Sequence, residues 1–264
     1  KFHNVVESKV HVVGASLYEH LLTPIKIRNK KDYCKELGLD SNKKIITYFG
    51  SSPQIIKNDF AYFSSIIEKI KNTNYINDYN LIYRSHPLNR QFKNSKDNFK
   101  NKEFLAHPNP ENFGKTILDK SLYLETIINS DIILGVNTSA IVEASFYLKP
   151  FILLNIKEND NDQGLFLETY HARYLTSDNS GVGVGLVVNN EKELLEILNK
   201  IITKKNYKRN IKKFSNNFLN LSANQKPTNK IVKIINVGTK KKFKKKNLLE
   251  PNEFLTVNIS KIKK

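Results

Sequence analysis

Strand-length apolar runs alternate with helix-periodic segments along most of this chain, and that alternation restricts the fold more than any other feature. Lys44-Ile45-Ile46-Thr47-Tyr48-Phe49 reads as the first buried strand and ends in Gly50-Ser51-Ser52-Pro53. Beyond it Phe60, Phe63, Ile66, Ile67 and Ile70 recur at helical spacing. Tyr79 to Tyr83 is a second strand, running into Arg84-Ser85-His86-Pro87, and a short strand near Glu103 to Ala106 leads to His107-Pro108-Asn109-Pro110. The most regular stretch has a helix carrying Leu122, Leu124, Ile127 and Ile128, the strand Asp131 to Gly135, a helix from Thr138 to Leu148, and the strand Phe151 to Asn155. Strands separated by helices need crossover connections, so the expected class is α/β, a mostly parallel sheet with helices on both faces.

Downstream, residues 157–181 are polar and read as a loop, Gly185 to Val188 as a short strand, and Leu194, Leu195, Leu198 and Ile201 as one face of a helix. Two further helices are expected over 206–221 and 227–236, where Phe214 and Phe218 read as core contacts. From Gly238 the Lys240 to Lys246 cluster predicts a basic tail, with a weak strand near Phe254 to Ile259. The expected organisation is a lead-in segment over 1–30, one domain over 31–237, and the tail over 238–264. At 264 residues and 39% hydrophobic the chain is large enough for a substantial core and too apolar to be disordered throughout, and no apolar run reaches bilayer-spanning length. The chain holds no methionine, even at position 1, which predicts an excised portion of something longer. Its single cysteine, Cys34, has no disulfide or thiolate-metal companion, consistent with a reducing compartment.

The formal net charge of +18 points at first to nucleic acid or an anionic membrane. Its distribution narrows this: residues 1–196 hold 24 Lys/Arg against 23 Asp/Glu, a net of +1, whereas 197–249 hold 16 basic residues and no acidic one. Two readings stay open, an AT-rich coding bias and a functional basic surface. Only five basic residues are arginine (Arg28, Arg84, Arg90, Arg173 and Arg209), so each is informative, because guanidinium is the better group for bidentate phosphate contacts.

The strongest local constellation is Asp131-Ile132-Ile133-Leu134-Gly135-Val136-Asn137-Thr138-Ser139-Ala140-Ile141-Val142-Glu143-Ala144. A buried strand delivers the chain to a turn where Thr138 or Ser139 can cap a helix, whose first N–H groups suit a phosphate oxygen. Glu143 lies about one turn up the same helix, where its carboxylate suits the two hydroxyls of a ribose. The plainer reading makes Thr138 only a cap and Glu143 a solvated helix residue.

The run Asn129 to Leu154, with its small-residue turn, Glu143-Ala144 and Lys149-Pro150 before the next strand, resembles the nucleotide-binding C-terminal half of GT-B glycosyltransferases and of the related non-hydrolysing nucleotide-sugar epimerases. The likeness extends to Val10–Leu22, as a segment arriving from an acceptor domain, and to the closing helices near 190–236. It implies a Rossmann-like sheet forming one half of a GT-B architecture, donor phosphates at the start of the Glu143 helix, and ribose on the glutamate.

Arg84-Ser85-His86-Pro87 is the second constellation. Proline restrains His86 to extended backbone at a strand end, where the ring can meet a leaving phosphate and Arg84 can add charge; a surface turn is the alternative. The His86-Pro87 pair resembles the motif of GT-B enzymes with CMP- or CDP-activated donors, namely bacterial sialyltransferases, Kdo transferases of capsule assembly and CDP-glycerol glycerophosphotransferases. With the wider GT-B likeness, whose small-residue loop Gly50-Ser51-Ser52 resembles, the candidate set is His86 and Arg84 at the leaving phosphate, and Gly50, Ser51, Ser52, Asn137, Thr138, Ser139 and Glu143 in donor binding. His107-Pro108 reads as a structural turn. His3, His11 and His20 lack a metal-ligand context, Asp160 and Asp162 read as solvated, and Gly181 to Gly185 precedes a strand instead of joining one to a helix, so no metal site or dinucleotide fingerprint is expected.

These features predict the donor-binding part of a metal-independent transferase with no cofactor beyond its nucleotide-activated donor, CMP- or CDP-linked in preference to UDP-linked, and a glycan or lipid-linked acceptor. The acceptor-activating base is expected in a preceding domain, so this portion should bind nucleotide with little turnover. The expected location is cytoplasmic, peripheral at the inner face of an anionic membrane through 197–249. A UDP-N-acetylhexosamine 2-epimerase-like enzyme is an alternative, although its Gly-Gly turn and paired carboxylates are missing here. A basic nucleic-acid-binding module is another, disfavoured because no recognised motif accompanies the charge.

Overall fold

The computed structural model describes residues 10–71, 76–89, 104–108, 119–136, 138–156, 185–203, 207–219, 221 and 226–243. A 3-10 helix at Ser16–Leu22 precedes α1 (Lys30–Leu37), β1 (Lys44–Phe49), α2 (Asp59–Lys71), β2 (Tyr79–Arg84) and β3 (Leu105–Ala106). Then come α3 (Lys120–Asn129), β4 (Ile132–Gly135), α4 (Ala140–Phe146), β5 (Phe151–Leu154), β6 (Gly185–Val188), α5 (Glu191–Thr203), α6 (Tyr207–Phe214) and α7 (Pro227–Phe243). The strands form one six-stranded sheet in the order β3-β2-β1-β4-β5-β6, and every pairing is parallel. This is a Rossmann-like sheet, and its order reverses direction between β1 and β4.

Both faces of the sheet are covered, which explains why the strands read as nearly unbroken apolar runs. Ile46 and Tyr48 of β1, Ile132 and Leu134 of β4, and Ile152 and Leu154 of β5 pack with Phe63, Ile66 and Ile70 of α2 and Leu194 and Leu198 of α5. The alternate residues Phe49, Ile133, Phe151 and Leu153 face the other way, against Leu124 and Ile127 of α3, Ile141 of α4, and Ile211 and Phe214 of α6. Leu21 of the 3-10 helix joins this second core. Cys34 is buried with Tyr33, Ile45 and Ile82 in a smaller cluster under α1.

Several boundaries differ from the sequence reading for identifiable reasons. The helix expected over Thr138–Leu148 is shorter, because the Ala140 N–H donates to Thr138 Oγ1 at 3.3 Å before the first turn. It ends as Leu148 turns to a φ of 55°, with the Leu148 and Lys149 N–H groups donating back to Ser145 and Ala144 carbonyls. The helix expected over 206–221 widens from α6 into a π turn at Ser215–Leu219. The one expected over 227–236 continues to Phe243, past the position where a basic tail was expected to begin, since lysine is itself a good helix former. The loop at 157–181 and the strand near 254–259 lie outside the described residues.

The residues ahead of α1 are fastened to α3 and α1 by charge. Arg28 donates from its backbone N–H (2.9 Å) and Nε (2.7 Å) to Glu125 Oε1, and from Nη2 (2.5 Å) to Oε2, while Nη1 pairs with Glu36. Glu125 is buried on α3, so removing the arginine strands a carboxylate. Arg28→Ala is expected to lower unfolding free energy by about 2 kcal/mol in a denaturant titration, below the roughly 3–5 kcal/mol for breaking a fully buried pair because Arg28 is partly exposed. Glu36→Ala, which removes the exposed partner, should cost less than about 1 kcal/mol.

Candidate functional site

Register places three strand ends at one level. Phe49 at the end of β1 pairs with Arg84 at the end of β2 and with Gly135 at the end of β4. Above them, at the β1/β4 reversal where open parallel sheets take their ligands, lies a cavity of about 450 Å³. Gly50 and Ser52 line it from the β1 loop, Arg84, Ser85 and His86 from the β2 loop, Tyr123 from α3, and Thr138, Ser139 and Glu143 from the β4 loop and α4. Residues spread over nearly a hundred positions of sequence therefore share one space.

Close packing builds the floor. Gly50 donates its N–H to the Arg84 carbonyl at 2.8 Å, and a Cβ there would come within 2.5 Å of Asp59 Oδ2 and 3.0 Å of the His86 nitrogen. Gly135 is equally confined, with a Cβ meeting Thr138 Cγ2 at 2.8 Å. Ser51, expected to touch the donor, faces inward instead. It is fully buried, its N–H donates to Asp59 Oδ1 at 2.9 Å and its hydroxyl donates to the Val136 carbonyl. It thus ties the β1 loop to the β4 loop and does not line the cavity. Ser52 does line it, and its Oγ accepts from Gln54 N–H at 3.2 Å. Asn137 lies outside the described residues.

The charged groups are held out of water. Arg84 is only 2% exposed, its guanidinium stands 5.3 Å from the centre of the Tyr123 ring, and burial pulls its pKa down to about 10, still cationic at neutral pH. Phe49 meets the same tyrosine ring edge-on at 5.6 Å. His86 is half-buried, and burial lowers its pKa. Its Nδ1 accepts from Leu88 N–H at 3.1 Å, which assigns the proton of the neutral ring to Nε2. His86 therefore meets an anion first as a neutral N–H donor.

Glu143 is 8% exposed, far from the solvated helix residue of the plainer reading. Its Oε2 has no partner among the described residues, and burial pushes its carboxyl up to about 7, while the Tyr123 hydroxyl bonded to it pulls the other way. Thr138 accepts from Ala140 N–H, and Ser139, the residue before α4, makes no side-chain cap. His107 is also buried, but it does not line the cavity; its ring meets Tyr33 edge-on at 6.0 Å and burial lowers its pKa to about 4.

Two participants escaped sequence reasoning. Tyr123 sits beside helix-face residues Leu122 and Leu124 and looks like one more core aromatic, yet it bridges Arg84 and Glu143. Asp59, an acidic residue opening a helix, looks like a first-turn charge. It is instead buried beneath Gly50, accepting from Ser51 N–H, Tyr48 and Tyr83, and burial raises its pKa to about 6.

No protein-family model matches the chain, and no curated protein matches it in sequence. Solved structures do. A UDP-GlcNAc 2-epimerase of Methanocaldococcus jannaschii in complex with UDP-GlcNAc and UDP superimposes with a TM-score of 0.57 at 19% identity, over 89% of this chain and 57% of the epimerase. The S. aureus MnaA–UDP co-structure gives a TM-score of 0.55 at 15% identity, over 89% of this chain and 56% of MnaA. The wall teichoic acid polymerase TagF soaked with CDPG superimposes more loosely, with a TM-score of 0.48 at 16% identity, over 91% of this chain and 54% of the polymerase. The chain spans little more than half the length of each of these structures. Its sheet, helices on both faces and strand order are those of one half of a GT-B enzyme.

Proposed function

We propose that this chain is the donor-binding half of a GT-B transferase that moves a glycosyl or glycerophosphate group from a CMP- or CDP-activated donor to a surface-polysaccharide acceptor, glycan or lipid-linked. The observation that carries the proposal is the cavity itself, where a buried guanidinium, a neutral imidazole N–H donor and a buried carboxyl with an unpartnered oxygen face one space at the β1/β4 reversal. A phosphate in the cavity would lie beside the buried guanidinium of Arg84, with His86 Nε2–H, Ser52, Thr138 and Ser139 as donors around it. Charge developing on the leaving phosphate is stabilised by these preset groups without a metal. Ribose hydroxyls donate to Glu143. The base that activates the acceptor is assigned to a part of the enzyme outside this half, so the chain alone binds nucleotide with little transfer.

The superposition with a TM-score of 0.57 on a UDP-GlcNAc 2-epimerase holding UDP-GlcNAc and UDP favours a UDP-N-acetylhexosamine 2-epimerase-like enzyme as the second reading. The turn Gly135-Val136 with a lone Glu143 departs from the Gly-Gly turn and paired carboxylates expected of that group. Calorimetry with CMP, CDP and UDP separates the readings. Cytidine nucleotides should bind, more tightly than UDP, and the His86→Ala/Glu143→Ala double variant should lose about 100-fold in affinity, the equivalent of two charge-assisted hydrogen bonds. A tenfold preference for UDP would favour the epimerase reading.

Glu143 makes both stability and binding pH-dependent. Its folded-state pKa is raised from 4.5 to about 7, so the fold favours the protonated form. The associated stability is fully present below pH 4.5 and is lost as pH rises through 7, by roughly 3 kcal/mol at about 1.4 kcal/mol per pH unit. Thermal melts of Glu143→Gln should lack that slope. Ribose binding needs the ionised form, so affinity for a CDP-linked donor, whose phosphate esters do not titrate near neutrality, should rise between pH 6 and 8 in the wild type and stay flat in Glu143→Gln.

The basic region gives the enzyme a place to work. No helix among the described residues is long and apolar enough to cross a membrane. However, α7 exposes Val232, Ile235 and Val237 beside Lys226, Lys230 and Lys233, a combination suited to lying on an anionic lipid surface at the cytoplasmic face. Duplex DNA has no use for the exposed apolar residues. Vesicles containing phosphatidylglycerol should cosediment the chain at low salt, and replacing these three lysines with glutamate should abolish it; equal binding by the variant would remove the membrane assignment.

A further inference from the structure

Asp59 is a buried charge that the proposed chemistry does not use. It opens α2 but reaches back under the β1 loop, 1% exposed. Its Oδ1 accepts from Tyr48 Oη at 2.7 Å and Ser51 N–H at 2.9 Å, and its Oδ2 accepts from Tyr83 Oη at 2.9 Å. These donors are all uncharged, an expensive environment for a carboxylate. The carboxylate also packs straight against the glycine of the cavity wall, since a Cβ on Gly50 would lie 2.5 Å from Oδ2.

Three bonds fasten the turn that Asp59 supports. Gly50 N–H donates to the Arg84 carbonyl, Ser51 Oγ to the Val136 carbonyl, and Ser51 N–H to Asp59. The first two link the turn to neighbouring strand ends, and the third sets the orientation of the Ser51 peptide, and with it the face that Gly50 and Ser52 turn to the cavity. We propose that Asp59 is a positioning residue that presets the Gly50–Ser52 turn against the phosphate of the bound nucleotide. The proposal rests on the donor-binding reading of the cavity. A carboxylate suits the task because both oxygens accept, allowing one side chain to hold a backbone N–H and two tyrosines at once. Asparagine keeps the shape but turns one acceptor into a donor, against Tyr83 or Gly50.

The test compares cytidine with CDP, so that only the phosphate-dependent part of binding is read. Wild-type chain should bind CDP more tightly than cytidine. In Asp59→Asn that preference should fall about tenfold, the size of one hydrogen bond to a charged group, while cytidine affinity stays within about twofold. Exchange of the Ser51 amide should accelerate by a similar factor without ligand. If Asp59→Asn does not fold, Tyr48→Phe removes one donor to the carboxylate and should give the same selective loss, about threefold. A purely structural role would lower the melting temperature and leave the CDP preference and Ser51 exchange unchanged, which overturns the proposal. A CDP preference that falls in His86→Ala but not in folded Asp59→Asn or Tyr48→Phe defeats this inference alone. A wild-type chain with no CDP preference defeats the donor reading and the inference with it.

Discussion

Everything in the site depends on the parallel register that ends β1, β2 and β4 together. Phe49 is the shared partner, facing Arg84 on one side and Gly135 on the other, so the loops leaving these strands begin at one height and within reach of one another. The register is enforced from below, because each strand is buried on both faces and a one-residue slip would exchange the two apolar sets. It is enforced at the top by hydrogen bonds between loops, Gly50 to Arg84 and Ser51 to Val136. Gly50, just past β1, and Gly135, ending β4, have no room for a Cβ and flank the reversal.

A second constraint is electrostatic. Arg84, Glu143 and Asp59 are each shielded from water, and burial shifts each toward its neutral form. For Asp59 the compensation is internal, from a peptide N–H and two phenols. Glu143 keeps an oxygen without a partner among the described residues, and so holds bonding capacity for a molecule in the cavity. Tyr123 links the two wall charges, its ring under Arg84 and its hydroxyl at Glu143, so the two groups share one support. The near-neutral balance of residues 1–196 suits such a site better than a broad basic field, which belongs to the closing helices.

Much of this was legible in the sequence because it was local. Apolar runs of four to six residues marked β1, β2, β4 and β5, and the strand ends, turns and helix that follow carried Gly50, Arg84, His86, Thr138 and Glu143. Their convergence followed from parallel topology, which puts every such turn at the same sheet edge. Side-chain direction was not legible. Ser51 and Ser52 are adjacent and chemically identical, yet one is a buried stitch and the other lines the cavity, a difference fixed by Asp59 and Val136, eight and 85 positions away. Tyr123 and Asp59 were hidden for the same reason, since helical periodicity marks which residues are buried but not which of them bond to a distant loop. The short extent of α4 depended on the Thr138 hydroxyl and on the left-handed Leu148, neither of which has a periodic signal.

A crystal structure of the chain with bound CDP tests the central claim most directly. The diphosphate should lie between the Arg84–His86 loop and the Thr138–Ser139 turn, within hydrogen-bond distance of His86 Nε2, with both ribose hydroxyls on Glu143. Nucleotide bound elsewhere, for instance in the groove beside Arg28 and Glu125, or a cavity left empty at saturating CDP, would contradict the account.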